Sequence, residues 1–149
     1  MNERFENFTF SINRLYKLAQ KIKLIEMKEF DLKAIHVMCI YTLSVYGTMT
    51  ASELIKRTLE DKAAISRAIK LLSGKGFVRH ATEGYNSPIV LTEHGKEVAK
   101  AIGEKAQRAV DVAGGEFTEE QRKNLYECLG IVSERLEDYY KAISADEVE

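Results

Sequence analysis

The sequence predicts a mainly α fold with a small β-hairpin wing, a winged helix-turn-helix carrying N- and C-terminal dimerisation helices. Three observations predict it. Between Thr50 and Gly95 the residues punctuate as helix, tight turn, helix and β-hairpin. Apolar residues recur at helical spacing towards both ends of the chain. Charge is also segregated: residues 51–80 hold seven Lys or Arg against three Asp or Glu, a balance of +4, whereas residues 116–149 hold four against ten, a balance of −6.

The central elements follow in order. Thr50-Ala51-Ser52-Glu53 has capping-box spacing, so a helix starts at Thr50, with Leu54, Ile55 and Leu59 as its apolar side and Lys56 and Arg57 on the other face. Glu60-Asp61 interrupts that pattern. Asp61 is a good N-cap for a second helix, in which Ile65, Ala68, Ile69 and Leu72 recur at i, i+3, i+4 and i+7. Helices joined so tightly are expected to cross steeply, as in a helix-turn-helix. Ser73-Gly74-Lys75-Gly76 supplies the helix stop. Residues 77–82 and 89–91 then read as two strands around the turn cluster Glu83-Gly84-Tyr85-Asn86-Ser87-Pro88, and Thr92 caps a long helix that ends at Gly114-Gly115.

Taking Ile65, Ile69 and Leu72 as the buried stripe of the second helix, a rotation of about 100° per residue places Ala63, Arg67 and Lys70 on the opposite face, with Ser66 beside them. Such a small, cationic helix face suits a DNA major groove. Arginine can bind guanine O6 and N7 as a fork, and an alanine methyl can touch the thymine methyl. Ala63, Ser66 and Arg67 are therefore the expected base-reading residues. Lys56, Arg57, Lys62 and Lys70 are expected at phosphate, with Arg79 and His80 at the base of the wing and Asn86 in its turn as further contacts. An asparagine in a turn also has a backbone reason to be there.

The flanks extend the pattern. Phe5, Phe8, Ile12, Leu15, Tyr16, Ala19 and Ile22 form a stripe on a helix running to about Met27. Phe30 to Ile35 suits a hydrophobic staple with Asp31 as N-cap, opening a core helix to about Tyr46. Thr118-Glu119-Glu120-Gln121 repeats the capping-box spacing before Leu125, Leu129, Val132, Leu136, Tyr139 and Ile143. Both terminal stripes need cover, and a two-fold dimer would present two reading helices to half-sites about one helical turn apart. The expected division is 1–29 as N-terminal dimerisation helix, 30–95 as winged helix-turn-helix, and 96–149 as connecting and C-terminal dimerisation helices.

The sequence resembles the MarR family of bacterial transcription regulators. The resemblance rests on the capped MTASELIKRTLEDKAAISRAIKLLSGKGFVRH, on the VLTEHGKEV that leaves the wing, and on the helices either side. It implies a winged-helix homodimer on a pseudo-palindromic operator of double-stranded DNA, released in many members by a small-molecule effector or an oxidant. A repressor is the expectation. Family wings commonly carry an Asp-x-Arg-like turn whose arginine enters the minor groove. This wing has no basic residue between Glu83 and Pro88, so it should add less sequence reading.

Composition limits the alternatives. With 149 residues, 45% apolar and 30% charged, the chain suits one globular domain core. No apolar run is long enough for a membrane span and the N-terminus does not lead a signal peptide, so a cytoplasmic location without membrane contact is expected. His36, His80 and His94 are too scattered for a ligand set, and neither a metal nor another cofactor is expected. Cys39 and Cys128 fall in helical apolar patterns and are expected to be buried thiols. A redox-responsive regulator using either is the alternative. Tyr41, Tyr46, Tyr139 and Tyr140 could line an aromatic pocket, although tyrosines at such spacing are more often core. There is no phosphate-cradling glycine loop, nucleophile elbow or framed carboxylate pair, so no catalytic residues and no enzyme are expected. A winged helix used only for protein contacts is the remaining alternative.

Overall fold

The computed structural model describes residues 3–145, with Phe5 described by its backbone only, so that residue's place in the N-terminal stripe lies outside the described side chains. Six helices and one two-stranded antiparallel sheet follow in order: α1 (Glu3–Glu26), a 3-10 turn (Lys28–Phe30), α2 (Ala34–Tyr46), α3 (Ala51–Thr58), α4 (Lys62–Gly74), β1 (Val78–His80), β2 (Ile89–Leu91), α5 (Glu93–Gly114) and α6 (Glu119–Ala145). Two compact units divide within α5, one covering residues 1–107 and the other 108–149.

The core of the first unit is built by α2, α3, α4 and the sheet. Leu54, Ile65, Ala68, Ile69 and Leu72 from the two central helices are buried with Val37, Cys39, Ile40 and Leu43 of α2, and with Val98, Ala99 and Ile102 of α5. Burial of the last two turns of the α4 stripe confirms the periodicity read from sequence, since only a helix brings residues 65, 68, 69 and 72 to one side.

Capping chemistry sets several helix starts. Thr50 Oγ1 accepts from Glu53 N–H at 3.3 Å while Thr50 N–H donates to Glu53 Oε2 at 2.7 Å. Asp61 Oδ1 accepts from Ala64 N–H at 2.7 Å, and Thr92 Oγ1 from Gly95 N–H at 3.0 Å. Each satisfies a donor that the first helical turn would otherwise leave unpaired.

Three local expectations are corrected. Asp31 is not the N-cap of α2: it closes the 3-10 turn with φ 52°, and Lys33 takes the capping position. Leu59 does not join the apolar side of α3. With φ 56° it is the left-handed C-cap, donating its N–H to Ile55 O at 2.9 Å, and its side chain stands 80% exposed. The first strand is shorter than residues 77–82. Phe77 precedes it, where its carbonyl takes the N–H of Thr92 at 3.0 Å, and Ala81 and Thr82 belong to the wing tip.

The hairpin pairs Val78 with Leu91, Arg79 with Val90 and His80 with Ile89. A further bridge joins Met49 to Ile89, through hydrogen bonds of 3.2 and 2.7 Å, so the chain entering α3 is stitched to the wing. Gly95 allows α5 to leave β2 at close quarters, because a Cβ there would stand inside the carbonyl of Phe77.

In the second unit, α5 stops at Gly114 and α6 opens with a reciprocal cap: Gln121 N–H donates to Thr118 Oγ1 at 3.2 Å and Thr118 N–H to Gln121 Oε1 at 2.9 Å. No residue of α6 is buried.

Candidate nucleic-acid interface

The second helix of the pair, α4, turns one face into the core and leaves Lys62, Ala63, Ser66, Arg67 and Lys70 exposed. Its start is set by Asp61 and its far end by Lys75, whose ammonium lies 3.2 Å from Asp31 Oδ2. Gly76 then reverses the chain with φ 73°, and Phe77 N–H returns to Leu72 O at 2.9 Å. The wing is thereby joined directly to the end of α4.

On α3, Lys56 and Arg57 are both exposed. Arg57 also stacks on Tyr46, its guanidinium carbon 3.7 Å from the ring centroid, a cation–π contact that narrows the directions in which the side chain can point. Hydrogen bonds from the Thr50 backbone and side chain, helped by Lys56 and Arg57, hold the Glu53 carboxyl below its ordinary range. The carboxylate therefore stays charged and occupied with its cap.

At the wing base Arg79 and His80 are exposed, and His80 Nδ1 lies 3.3 Å from the Ser87 carbonyl. Asn86 adopts φ 58°, so its place in the turn has the backbone reason that asparagine commonly serves. One organising residue escaped the sequence reading. Ser87 is only 7% exposed, and its hydroxyl takes the N–H of Thr82 at 3.1 Å, meets Thr82 Oγ1 at 3.0 Å and donates to the Thr82 carbonyl. A serine between Asn and Pro reads only as turn composition, and its burial is visible only once the hairpin has closed.

The four tyrosines are not core. Tyr41, Tyr46, Tyr139 and Tyr140 are all at least 40% exposed. Tyr41 borders a cleft of about 850 Å³ in the first unit, with Thr48 and Arg79 and with Lys96 and Lys100 of α5. The cysteines divide. Cys39 is fully buried, and burial, with Glu60 adding to it, pushes its thiol up to about 12. Cys128 is exposed on α6, against the expectation of burial, because the stripe on which it sits is uncovered in the chain. Among the described residues no group of three or more His, Cys, Asp or Glu side chains is placed to hold a metal ion, and no helix is long and apolar enough to cross a membrane.

Neither a sequence-family model nor a curated protein matches the chain. Solved structures do match it. A MarR protein from Peptoclostridium difficile superposes with a TM-score of 0.83 at 21% identity, covering 92% of each chain. The chain has the MarR winged-helix fold. A MarR transcriptional regulator from Methanosarcina mazei shares the MarR fold at a TM-score of 0.80 and 21% identity, over 87% of this chain and 89% of that one. A MarR-family regulator from Listeria monocytogenes, solved in complex with a 26mer DNA, reaches 0.82 at 23% identity over 87% and 89%. At 21–23% identity the likeness is one of fold. Each of those structures is of a transcriptional regulator or a MarR protein, in keeping with the winged-helix arrangement of α3, α4 and the β1–β2 hairpin seen here.

Proposed function

We propose that the chain is a sequence-specific DNA-binding transcriptional regulator, a repressor acting as a homodimer on a pseudo-palindromic operator. One observation carries this reading: the exposed face of α4 is small and cationic, with Ala63, Ser66, Arg67 and Lys70 opposite a buried apolar stripe. Arg67, with Ala63 and Ser66, reads base edges. Lys56, Arg57, Lys62 and Lys70 hold phosphate, with Arg79, His80 and Asn86 as wing contacts. A protein with this fold, the Listeria regulator, was solved in complex with DNA, which supports DNA as the partner.

Homodimerisation is supported by the uncovered apolar residues of the terminal helices, among them Phe10, Leu15, Tyr16 and Ile25 of α1 and Leu136, Tyr139 and Ile143 of α6. Their burial between two copies would supply the hydrophobic stabilisation that each helix lacks alone. A small-molecule effector has room in the cleft beside Tyr41. Redox control through Cys39 is disfavoured, since a buried thiol with its pKa pushed up to about 12 holds almost no thiolate.

Operators selected from a random DNA pool, followed by binding titrations across salt concentrations, test the proposal. The parent should lose affinity steeply with salt. Arg67→Ala should lose sequence preference, weakening operator binding by about 1–3 kcal/mol, and Lys62→Ala should weaken all sequences alike and reduce the salt slope by about one. A chain that binds no DNA would instead serve protein contacts only, and an Arg67→Ala variant that reads its operator as the parent does would place base reading elsewhere.

A further inference from the structure

The tip of the wing holds a side chain that the division of labour above leaves unused. Tyr85 is 101% exposed, making it the most exposed of the large hydrophobic residues described. Left-handed residues stand on both sides of it, Gly84 with φ 106° and Asn86 with φ 58°. Behind it the loop is tied: Ala81 N–H donates to Pro88 O at 2.8 Å, and the buried Ser87 hydroxyl clasps the Thr82 backbone. The strand below is continuous with the end of α4 through the Phe77–Leu72 hydrogen bond, and all of these residues lie in one compact unit. An aromatic ring is thus presented to solvent at the tip of a loop whose base is tied by hydrogen bonds and joined through β1 to the end of the reading helix. The residues around it, Glu83 to Pro88, include no cation and one carboxylate, so electrostatic attraction to phosphate is not what this tip offers.

We propose that Tyr85 is a DNA contact of a different chemistry, its ring packed against sugar and base edges that flank the half-site read by α4. This rests on the DNA-binding reading above. A tyrosine brings a large, stiff apolar surface at low conformational cost. In a groove such a surface responds to width and deformability, which vary with sequence, and thereby discriminates flanking bases without hydrogen-bonding to them. Because the ring carries no charge, it releases no counterion. Its contribution should therefore be insensitive to salt, unlike that of an arginine in the same position.

The test uses the full chain and two versions of its selected operator, identical in the half-sites but flanked by A·T-rich or G·C-rich steps. Tyr85→Ala should fold as the parent does and weaken binding to the preferred version roughly ten-fold, the scale of a lost aromatic contact to nucleic acid. It should also equalise the two versions and leave the salt slope unchanged. Tyr85→Phe should retain both affinity and flank preference, whereas Tyr85→Arg should steepen the salt slope by about one. The proposal is overturned if Tyr85→Ala keeps parental affinity and flank preference in an assay where Arg67→Ala loses binding, or if Tyr85→Phe is as impaired as Tyr85→Ala. A parent that shows no sequence-preferring binding defeats the functional reading itself, so the two failures remain distinct.

Discussion

The Nδ1 of His36 accepts the backbone N–H of Lys33 at 3.0 Å, performing at the start of α2 the service that a capping-box carboxylate performs elsewhere. The bond requires Nδ1 to be unprotonated. Burial lowers the pKa of His36 below its ordinary value, and the nearby Lys33 and Lys75 lower it further, against a smaller opposing effect of Asp31. The folded protein therefore favours the neutral ring. Stability from this site is fully present above the unfolded pKa of about 6.5 and is lost as pH falls through the lower folded value. Urea midpoints measured from pH 7.5 down to pH 5 should fall for the parent. His36→Asn, which keeps an acceptor but cannot titrate, should flatten that slope, and an unaltered slope would assign the pH dependence to other groups.

Gly95 and Gly103 lie on the same helix and should respond oppositely to alanine. At Gly95 a Cβ would collide with the Phe77 carbonyl, a backbone atom that Thr92 N–H and the wing hold in place. Gly95→Ala should cost about 3 kcal/mol, at the upper end of overpacking penalties. At Gly103 nothing lies within 4 Å, so Gly103→Ala should stabilise by about 0.5–1 kcal/mol through helix propensity. Chemical denaturation of both variants checks the pair, and equal effects would contradict the close approach of α5 to Phe77.

Leu59 closes α3 in a left-handed conformation while burying little of its side chain. Leu59→Gly relieves the steric cost of that backbone and forfeits almost no apolar burial. A gain of about 0.5–1 kcal/mol is expected, the backbone term outweighing the added freedom of glycine in the unfolded chain. A loss of stability would show that the side chain is packed in solution.

The two thiols should separate kinetically. With Cys39 enclosed and its thiol pushed up to about 12, its alkylation should proceed only as fast as the fold opens, and labelling should accelerate in step with denaturant. Exposed Cys128 should react in native buffer. Rapid native modification of Cys39, followed by peptide mass analysis of the labelled chain, would contradict its burial.

The sequence by itself determined what neighbouring residues decide among themselves. Thr50, Asp61, Thr92 and Thr118 could be recognised as caps because each partner lies three residues away, within the first turn of its helix. The buried stripe of α4 was legible for the same reason: a period of 3.6 fixes which side chains share a face before anything packs against them. Tertiary structure alone decided the rest. Asp31 looked like a cap but is drawn to Lys75, 44 residues away, leaving the capping position to Lys33. Met49 pairs with Ile89, Gly95 is required by the carbonyl of Phe77, and Ser87 is buried only once the hairpin has closed over it. Each depends on a group distant along the chain, and hydrogen bonding or exclusion between such groups exists only after the chain has brought them together. That is also why Tyr85 passed for turn filler in the sequence: its full exposure on a braced loop is a property of the closed wing.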